Sequence, residues 1–449
     1  ENLMPITTRH YLYLSGTPFK AIATGEFIED QIFNWTYTNE QEAKSRWRHK
    51  NNPYRSLPRM VMMTYKLPKS LTQIIEKGEY DEFDLNHFFS ANGKSDNAKF
   101  LHEEQVQKWL DLIRGALKDR DYDDLKQKKN KPYLPFSHPN LLNNLNHTLW
   151  FLPNVSACFA MKNLLNKNHN TFYKDYKVVV AAGNKAGIGI NALPPVFKAM
   201  NDPIKSKTIT LTCTKLTQGV SVKPWTGIFM LRNLSTPETY FQSAFRVQTP
   251  WTIKNENKPD LDDEIILKKE CYIFDFAPNR ALKLIQEYGS KLNTNSDNIE
   301  SKINEVIKFL PIICYDGSVM EEIDASQILD IVMSGTTATL LARKWDDATL
   351  VHVDNETLNR LMNNKDAIDA LMNIEGFRNL KDEIKTIINK SEKIKKIKKE
   401  SNDSNISDKI KKELKKEEKE YKNLRKQVRE KLLQFATRIP VFMYLTDYR

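Results

Sequence analysis

The residues with the clearest capacity for chemistry lie between 208 and 250. A run alternating through Ile209, Leu211 and Cys213 leads into Lys215-Leu216-Thr217-Gln218-Gly219-Val220. A glycine directly after a strand lets backbone N–H groups approach an anion, and Thr217 adds a hydroxyl donor. Downstream, Ser235-Thr236-Pro237-Glu238 reads as a helix start, with a Ser235 hydroxyl cap, proline in the first turn and Glu238 three residues after the cap. On that helix Gln242 and Arg246 are four apart and share a face, whereas Phe241 and Phe245 share another and are expected to pack inward. The spacing lets Arg246 project towards the carboxyl edge of a sheet, with Gln242 beside it. A plain turn followed by an amphipathic helix with an exposed arginine fits the same spacing.

Those residues need a scaffold, and the surrounding sequence predicts an α/β one. From about residue 146, apolar or β-branched runs alternate with helical patterns. The strand-like runs are Thr148–Leu152, Tyr176–Ala182, Thr208–Thr214, Gly227–Arg232 and Cys271–Phe276, and helical patterns start at Ala157 and Arg280. Such alternation implies a parallel sheet covered on both faces. We read residues 146–295 as this domain. Residues 1–37 hold one further strand pattern (Tyr11–Leu14) followed by Ser15-Gly16-Thr17-Pro18, and are read as the end of another domain. Residues 38–145 carry a strand at Met60–Tyr65 and a helical run through Val106, Leu110, Ile113 and Leu117, and are read as an insertion or connector. Residues 296–449 are expected to be an α-helical domain bearing an antiparallel hairpin over about 380–435. The hairpin's two amphipathic halves flank the breaker cluster Ser401–Asn405. The chain then reaches an apolar run, Val441–Leu445, which reads as the edge of another domain.

The 449 residues are 40% hydrophobic and 28% charged, which excludes wholesale disorder and calls for more than one domain. No run of about 18 uncharged apolar residues occurs, so no membrane-spanning segment is expected. Cys158, Cys213, Cys271 and Cys314 are far apart in apolar runs, as reduced core residues of a cytoplasmic protein would be. The net charge is +11, and residues 381–431 hold 19 Lys/Arg against 11 Asp/Glu, an excess of 8. A basic balance points to an anionic partner, and interleaved Lys and Glu fit a solvated or docking helix equally well.

In order along the chain, these motifs resemble superfamily 2 helicases, most closely the translocase subunits of type I and type III restriction enzymes. Ser15-Gly16-Thr17 matches the segment that ends the first RecA-like domain of that family. Leu149–Leu165 resembles its first strand–helix unit in the second domain. Thr217-Gln218-Gly219-Val220 with Pro224 matches the next motif, and Gln242 with Arg246 matches the last. The region Cys271–Leu282 resembles the closing strand and helix. The resemblance implies that ATP and Mg²⁺ bind between two RecA-like domains. It makes Arg246 the residue that stabilises charge on the transferring phosphoryl group, with Gln242 ordering the site. Gly219 would lie at the nucleotide side of the loop. Ser15, Gly16, Thr17, Thr217, Gln218 and Gly219 would contact the nucleic-acid backbone or couple it to ATP. DNA, and a methyltransferase or specificity subunit, would be the partners.

Two departures qualify the match. The sequence contains no G-x-x-x-x-G-K-[ST] and no acidic box before Ser15. Gly183-Asn184-Lys185-Ala186-Gly187 has the wrong spacing and reads as a loop. The expectation is that both missing parts lie upstream of Glu1 in a longer protein, and that this chain alone does not hydrolyse ATP. A helicase-like scaffold without a working ATPase is the alternative. Phe245 and Thr249 occupy positions where the family often has Gly and a second Arg, which leaves Arg246 as the single candidate. Other signals read as structural. The Glu383-x-Lys385 pair belongs to a charged helix face. His10, His147 and His352 are scattered, and Trp150, Trp225 and Trp251 are expected in the core. No His/Cys cluster has metal-ligand spacing.

Overall fold

The computed structural model describes residues 12, 14, 33, 35–72, 83–118, 132–183, 189–216, 219–254, 264–292, 299–317, 319–334, 353, 355–374, 376–402 and 408–436. Two compact units are present: Trp35–Thr336, and the described part of Thr337–Arg449. The expected strand at Tyr11–Leu14 and the Ser15-Gly16-Thr17 segment fall outside the described residues, apart from Leu12 and Leu14. So does the run Val441–Leu445.

The first unit is α/β. Its sheet has eight strands: β1 (Arg59–Tyr65), β2 (His147–Phe151), β3 (Lys177–Val180), β4 (Thr208–Thr212), β5 (Gly227–Met230), β6 (Glu270–Asp275), β7 (Ile312–Tyr315) and β8 (Met320–Glu322). Their spatial order is β8-β7-β1-β6-β5-β2-β4-β3, and only β8 runs antiparallel to its neighbour. Every residue of β2, β4 and β5 is buried, as is β1 after Arg59 and β6 after Glu270. These strands read as continuous apolar or β-branched runs because parallel strands are covered on both faces.

The cover comes from helices along the whole unit. They include α1 (Tyr37–Arg46), α2 (Glu103–Ile113), α3 (Val155–Leu165), α4 (Pro194–Met200), α5 (Pro237–Ala244), α6 (Pro278–Leu292), α7 (Ile299–Ile307) and α8 (Ala325–Ser334). Of these, α3 and α4 pack on β3 and β4, and α6 packs on β1, α5, α7 and α8. On α2, Trp109 meets Trp150 of β2 edge-on at 5.6 Å and Phe276 at 5.2 Å, while Trp150 lies 5.0 Å from Phe229 of β5. Phe136 stacks on Phe229 at 5.5 Å.

Residues 38–145, expected as an insertion or connector, therefore supply a strand in the middle of the sheet and part of its apolar cover. In β1, Arg59–Thr64 pairs with Glu270–Asp275 of β6, and Met62–Tyr65 pairs with Ile312–Tyr315 of β7. The expected helical domain from 296 likewise differs, because residues 299–334 include β7 and β8 and belong to this unit. A four-residue strand is too short to register as a period, and its membership is set by pairing with β1.

The second unit is helical among its described residues. It comprises α9 (Asn355–Asn363), α10 (Lys365–Met372), α11 (Leu380–Asn402) and α12 (Asp408–Ala436). Leu380, Ile384, Ile387 and Ile394 of α11 share a buried cluster with Tyr421 and Val428 of α12. The pair is antiparallel: Lys431 reaches Glu383 at 2.5 Å, and Lys390 reaches Glu417 and Glu420 at 2.7 and 2.8 Å. Lys390 and Lys393 hold the Glu417 carboxyl down at about 2. Most of the breaker cluster, residues 403–405, lies outside the described set.

Gly227 of β5 sits where a Cβ would lie 2.5 Å from Leu145 Cδ2 and 3.2 Å from Phe274 Cε2. Gly227→Ala should destabilise the α/β unit by about 1–3 kcal/mol through overpacking. Urea unfolding with an unchanged midpoint would show that this close approach does not constrain the sheet.

Candidate functional site

In this sheet β2 is the point where the order reverses. The chain goes from β2 out to β3, returns through β4 beside β2, and then crosses to β5 on the other side. The carboxyl ends of β2, β4 and β5 lie at this reversal, the place where open α/β sheets bind ligands. The loop leaving β4 contains Thr217, Gln218 and Gly219, and the segment leaving β5 leads into the helix of Gln242 and the turn of Arg246.

A buried network holds the opposite ends of two of these strands in register. His147, fully buried at the start of β2, places Nε2 2.8 Å from the Pro203 carbonyl and Nδ1 2.8 Å from Thr208 Oγ1 of β4. A carbonyl only accepts, so Nε2 carries the proton and Nδ1 accepts from the Thr208 hydroxyl. Burial lowers the His147 pKa, in keeping with a neutral ring. Trp150 and Trp225 are fully buried, and Trp251 is partly buried.

At the carboxyl edge, α5 begins one residue later than the sequence predicts. Thr236, not Ser235, is the N-cap, and its hydroxyl accepts from the Thr239 N–H at 3.4 Å. Pro237 decides this, because proline fits the first helical position and leaves the preceding residue as the cap. The helix ends at Ala244 and tightens into a 3₁₀ turn over Phe245–Val247. Arg246 lies in that turn. Its Nε donates to the Gln242 carbonyl at 3.0 Å, and its Nη1 donates to the Val220 carbonyl at 2.7 Å. The guanidinium thus folds back onto the backbone at Gln242 and bridges to the β4–β5 loop. Burial lowers its pKa. Phe241 is buried and stacks on Tyr288 at 3.8 Å, whereas Phe245 is only half-buried.

Of the loop residues, Thr217 and Gln218 lie outside the described residues. Gly219 has φ +65, and nothing lies within 4 Å of where a Cβ would sit. Its backbone therefore borders open space and takes a left-handed conformation that favours glycine.

Two further cations, not singled out by sequence pattern, also hold this loop. Lys268 precedes β6 and is 2% exposed. Its Nζ donates to the carbonyls of Lys223 (2.8 Å), Trp225 (2.7 Å) and Val247 (2.9 Å). An ammonium has three donors, and here each meets one acceptor. Arg232 follows β5. Its Nη1 donates to the Cys213 carbonyl at 2.7 Å, and its guanidinium lies 5.1 Å from the centre of the Phe151 ring. Arg232 thus joins the ends of β2, β4 and β5. Beside it, a hydrogen bond from Cys158 brings the Cys213 thiol down to about 6, and both thiols are buried and unbridged.

From Cys213 to Trp225, four backbone carbonyls of the β4–β5 connection are therefore turned onto three cations. A trans peptide holds C=O and N–H in opposite directions, so turning the Val220 carbonyl toward Arg246 turns the N–H of Ser221 away from it. Ser221 is exposed. The arrangement ties the loop to the turn after α5 beside Gly219, whose backbone borders open space. The Arg246–Val220 bond and the Lys268–Val247 bond couple the loop to the turn that ends α5. The signal for Lys268 was weak: a single lysine beside the apolar run of β6, with nothing in its own neighbourhood to separate it from a surface lysine.

Desolvation brings the Lys268 pKa down from 10.5 to about 8. The folded protein releases this proton before the unfolded chain does, so between about pH 8 and pH 10.5 the unfolded state binds more protons and the stability contributed by Lys268 rises with pH. Lys268→Met should lack that rise, which amounts to about 3 kcal/mol across the window. Urea unfolding of parent and variant at pH 7.5 and pH 10 measures the difference, and parallel pH profiles would show that Lys268 is not desolvated as described.

No protein-family model matches the sequence. Over 392 residues the chain is 29% identical to a curated Mycoplasma pneumoniae protein described as "Putative type II restriction enzyme and methyltransferase RM.MpnORF110P C-terminus". The match covers 83% of this chain and 51% of that protein, so the chain spans about half the length of this relative.

Proposed function

We propose that this chain is part of an ATP-dependent DNA translocase of a restriction–modification enzyme, in which the α/β unit is a second RecA-like domain. It supplies one wall of an ATP site and backbone contacts to DNA. The observation that carries the reading is the coupling of Arg246 to the glycine loop at the sheet's reversal point, through the 2.7 Å bond to the Val220 carbonyl. The described relative adds the restriction and methyltransferase setting, and a methyltransferase or specificity subunit would be the partner.

The residues at the edge fit a triphosphate. Gly219 leaves open space at its backbone, and Arg246 is a half-buried guanidinium whose present acceptors are carbonyls of the two segments it joins. ATP, when bound with Mg²⁺ to a first RecA-like domain carrying the phosphate loop and acidic box, supplies the phosphoryl transfer that drives movement. In this chain Arg246 would exchange a carbonyl for a phosphate oxygen and place positive charge there, and Gln242 would order the same face. Moving the guanidinium releases the Val220 carbonyl, so occupancy of the nucleotide site and the position of the loop that touches DNA change together. Thr217, Gln218 and Gly219 would make those DNA contacts, with Ser15, Gly16 and Thr17 coupling the first domain.

A second reading is a scaffold without ATPase activity, favoured by one fact: the Arg246 guanidinium is already engaged by two carbonyls. The two readings separate in the enzyme that contains this chain together with its nucleotide-binding domain. Arg246→Ala should lower DNA-stimulated ATP turnover by about 10³-fold or more. Arg246→Lys should stay low as well, because a point charge lacks the planar fork. Turnover at the parent level in both variants would remove Arg246 from the ATP site, and a parent enzyme with no DNA-stimulated turnover would be the scaffold.

A further inference from the structure

Among the described residues, the tryptophans that face solvent are not those near the sheet. Trp35 is 44% exposed and Trp47 is 39% exposed, both in the α/β unit at the two ends of α1. Tyr54 lies between them, with ring centroids 6.1 Å from Trp35 in a stacked geometry and 6.2 Å from Trp47 edge-on. His49 meets Trp47 edge-on at 6.1 Å. Large rings left in water at one place are the informative kind of exposure.

The platform is built rather than loose. Asn52 Nδ2 donates to the Lys44 carbonyl at 3.0 Å, Asn52 Oδ1 accepts from the Tyr54 N–H at 2.9 Å, and Lys44 Nζ donates to the Leu57 carbonyl at 2.5 Å. Gln41 Nε2 donates to the Pro58 carbonyl at 3.2 Å. These bonds fasten Asn52, Leu57 and Pro58 to α1, and Tyr54 to Asn52.

Charge completes the surface. Residues 45–51 are all exposed and include Arg46, Arg48, His49 and Lys50 around Trp47. Between Glu42 and Glu76 the sequence has eight Lys/Arg and no Asp or Glu. Arg46 pairs with Glu42 at 2.6 Å, and Arg48 and Lys50, both exposed, follow Trp47 within three residues in the chain. A patch of cations around exposed aromatic planes complements a polyanion whose rings are free to stack. A duplex keeps its base faces inside the helix, and an unpaired strand offers them.

We infer that Trp35, Trp47 and Tyr54, with Arg48 and Lys50 close by in the chain, form a stacking platform for an unpaired polynucleotide strand. This surface adjoins the Arg246 turn, since Tyr37 of α1 meets Phe245 at 6.4 Å and Gln248 donates to Glu40 at 3.0 Å, but its test needs no ATP, so it holds or fails independently of the motor reading.

The measurement is fluorescence anisotropy of the intact protein with labelled oligothymidine and oligouridine of about 16 nucleotides, and with a duplex of equal length. Trp47→Ala should weaken binding of the unpaired strand by about tenfold, and Trp47→Phe should restore most of it. Duplex binding should be indifferent to Trp47→Ala. Arg48→Gln with Lys50→Gln should reduce the slope of log affinity against log salt by about 1.4, at about 0.7 per phosphate contact. The strand whose affinity falls in Trp47→Ala identifies DNA or RNA as the ligand. Unchanged binding of both unpaired strands, or an equal loss on the duplex, overturns the inference and leaves the surface to a protein partner.

Discussion

The constraint on which the α/β unit depends is that its central strands are apolar on both faces. Parallel pairing leaves β1, β2, β4, β5 and β6 with no solvated side, so each must find cover above and below. Trp109 of α2 meets that demand by packing edge-on against Trp150 and Phe276, with Phe229 beyond. Residues far from the motif-bearing stretch thereby become part of the sheet's own core. The edge that carries the candidate site inherits its rigidity from this packing.

On that edge the organising principle is electrostatic and works through backbone, not side-chain carboxylates. Arg232, Arg246 and Lys268 each take up carbonyls of the β4–β5 connection. Buried cations satisfied by neutral dipoles keep their charge at the cost of desolvation, visible in the lowered pKa values of Arg246 and Lys268. A carboxylate partner would have neutralised them outright. Carbonyl partners instead leave positive potential at the edge and tie loop to turn, which is what a site for an anionic ligand needs.

The positive balance of the chain has two different destinations. On the α11–α12 hairpin, several lysines are taken up by Glu383, Glu417 and Glu420 across the helix pair, and the remaining charge is spread over solvated faces. Around Trp47 the cations have few acids near them in sequence and stand beside exposed rings. Net charge is therefore a poor guide to where an anion would bind. Local acid content and ring exposure distinguish the two regions.

The α/β character and the strands at 60–65, 147–151, 208–212, 227–230 and 270–275 were legible from apolar runs alone. The antiparallel hairpin was legible from its helical period, whereas Arg246, expected on the helix beside Gln242, lies in the turn that follows α5. These are local properties: a period, a breaker or a proline acts within a few residues. What the sequence alone could not decide was membership and company. Residues 38–145 looked like a connector because β1 has a partner more than two hundred residues away in β6. Lys268 looked like any lysine because its three carbonyl partners belong to Lys223, Trp225 and Val247. The burial of Trp150 was expected from its strand run, but nothing in the sequence around Trp47 marked its exposure. Pairing and burial depend on which distant segments meet, and that information exists only once the chain has folded.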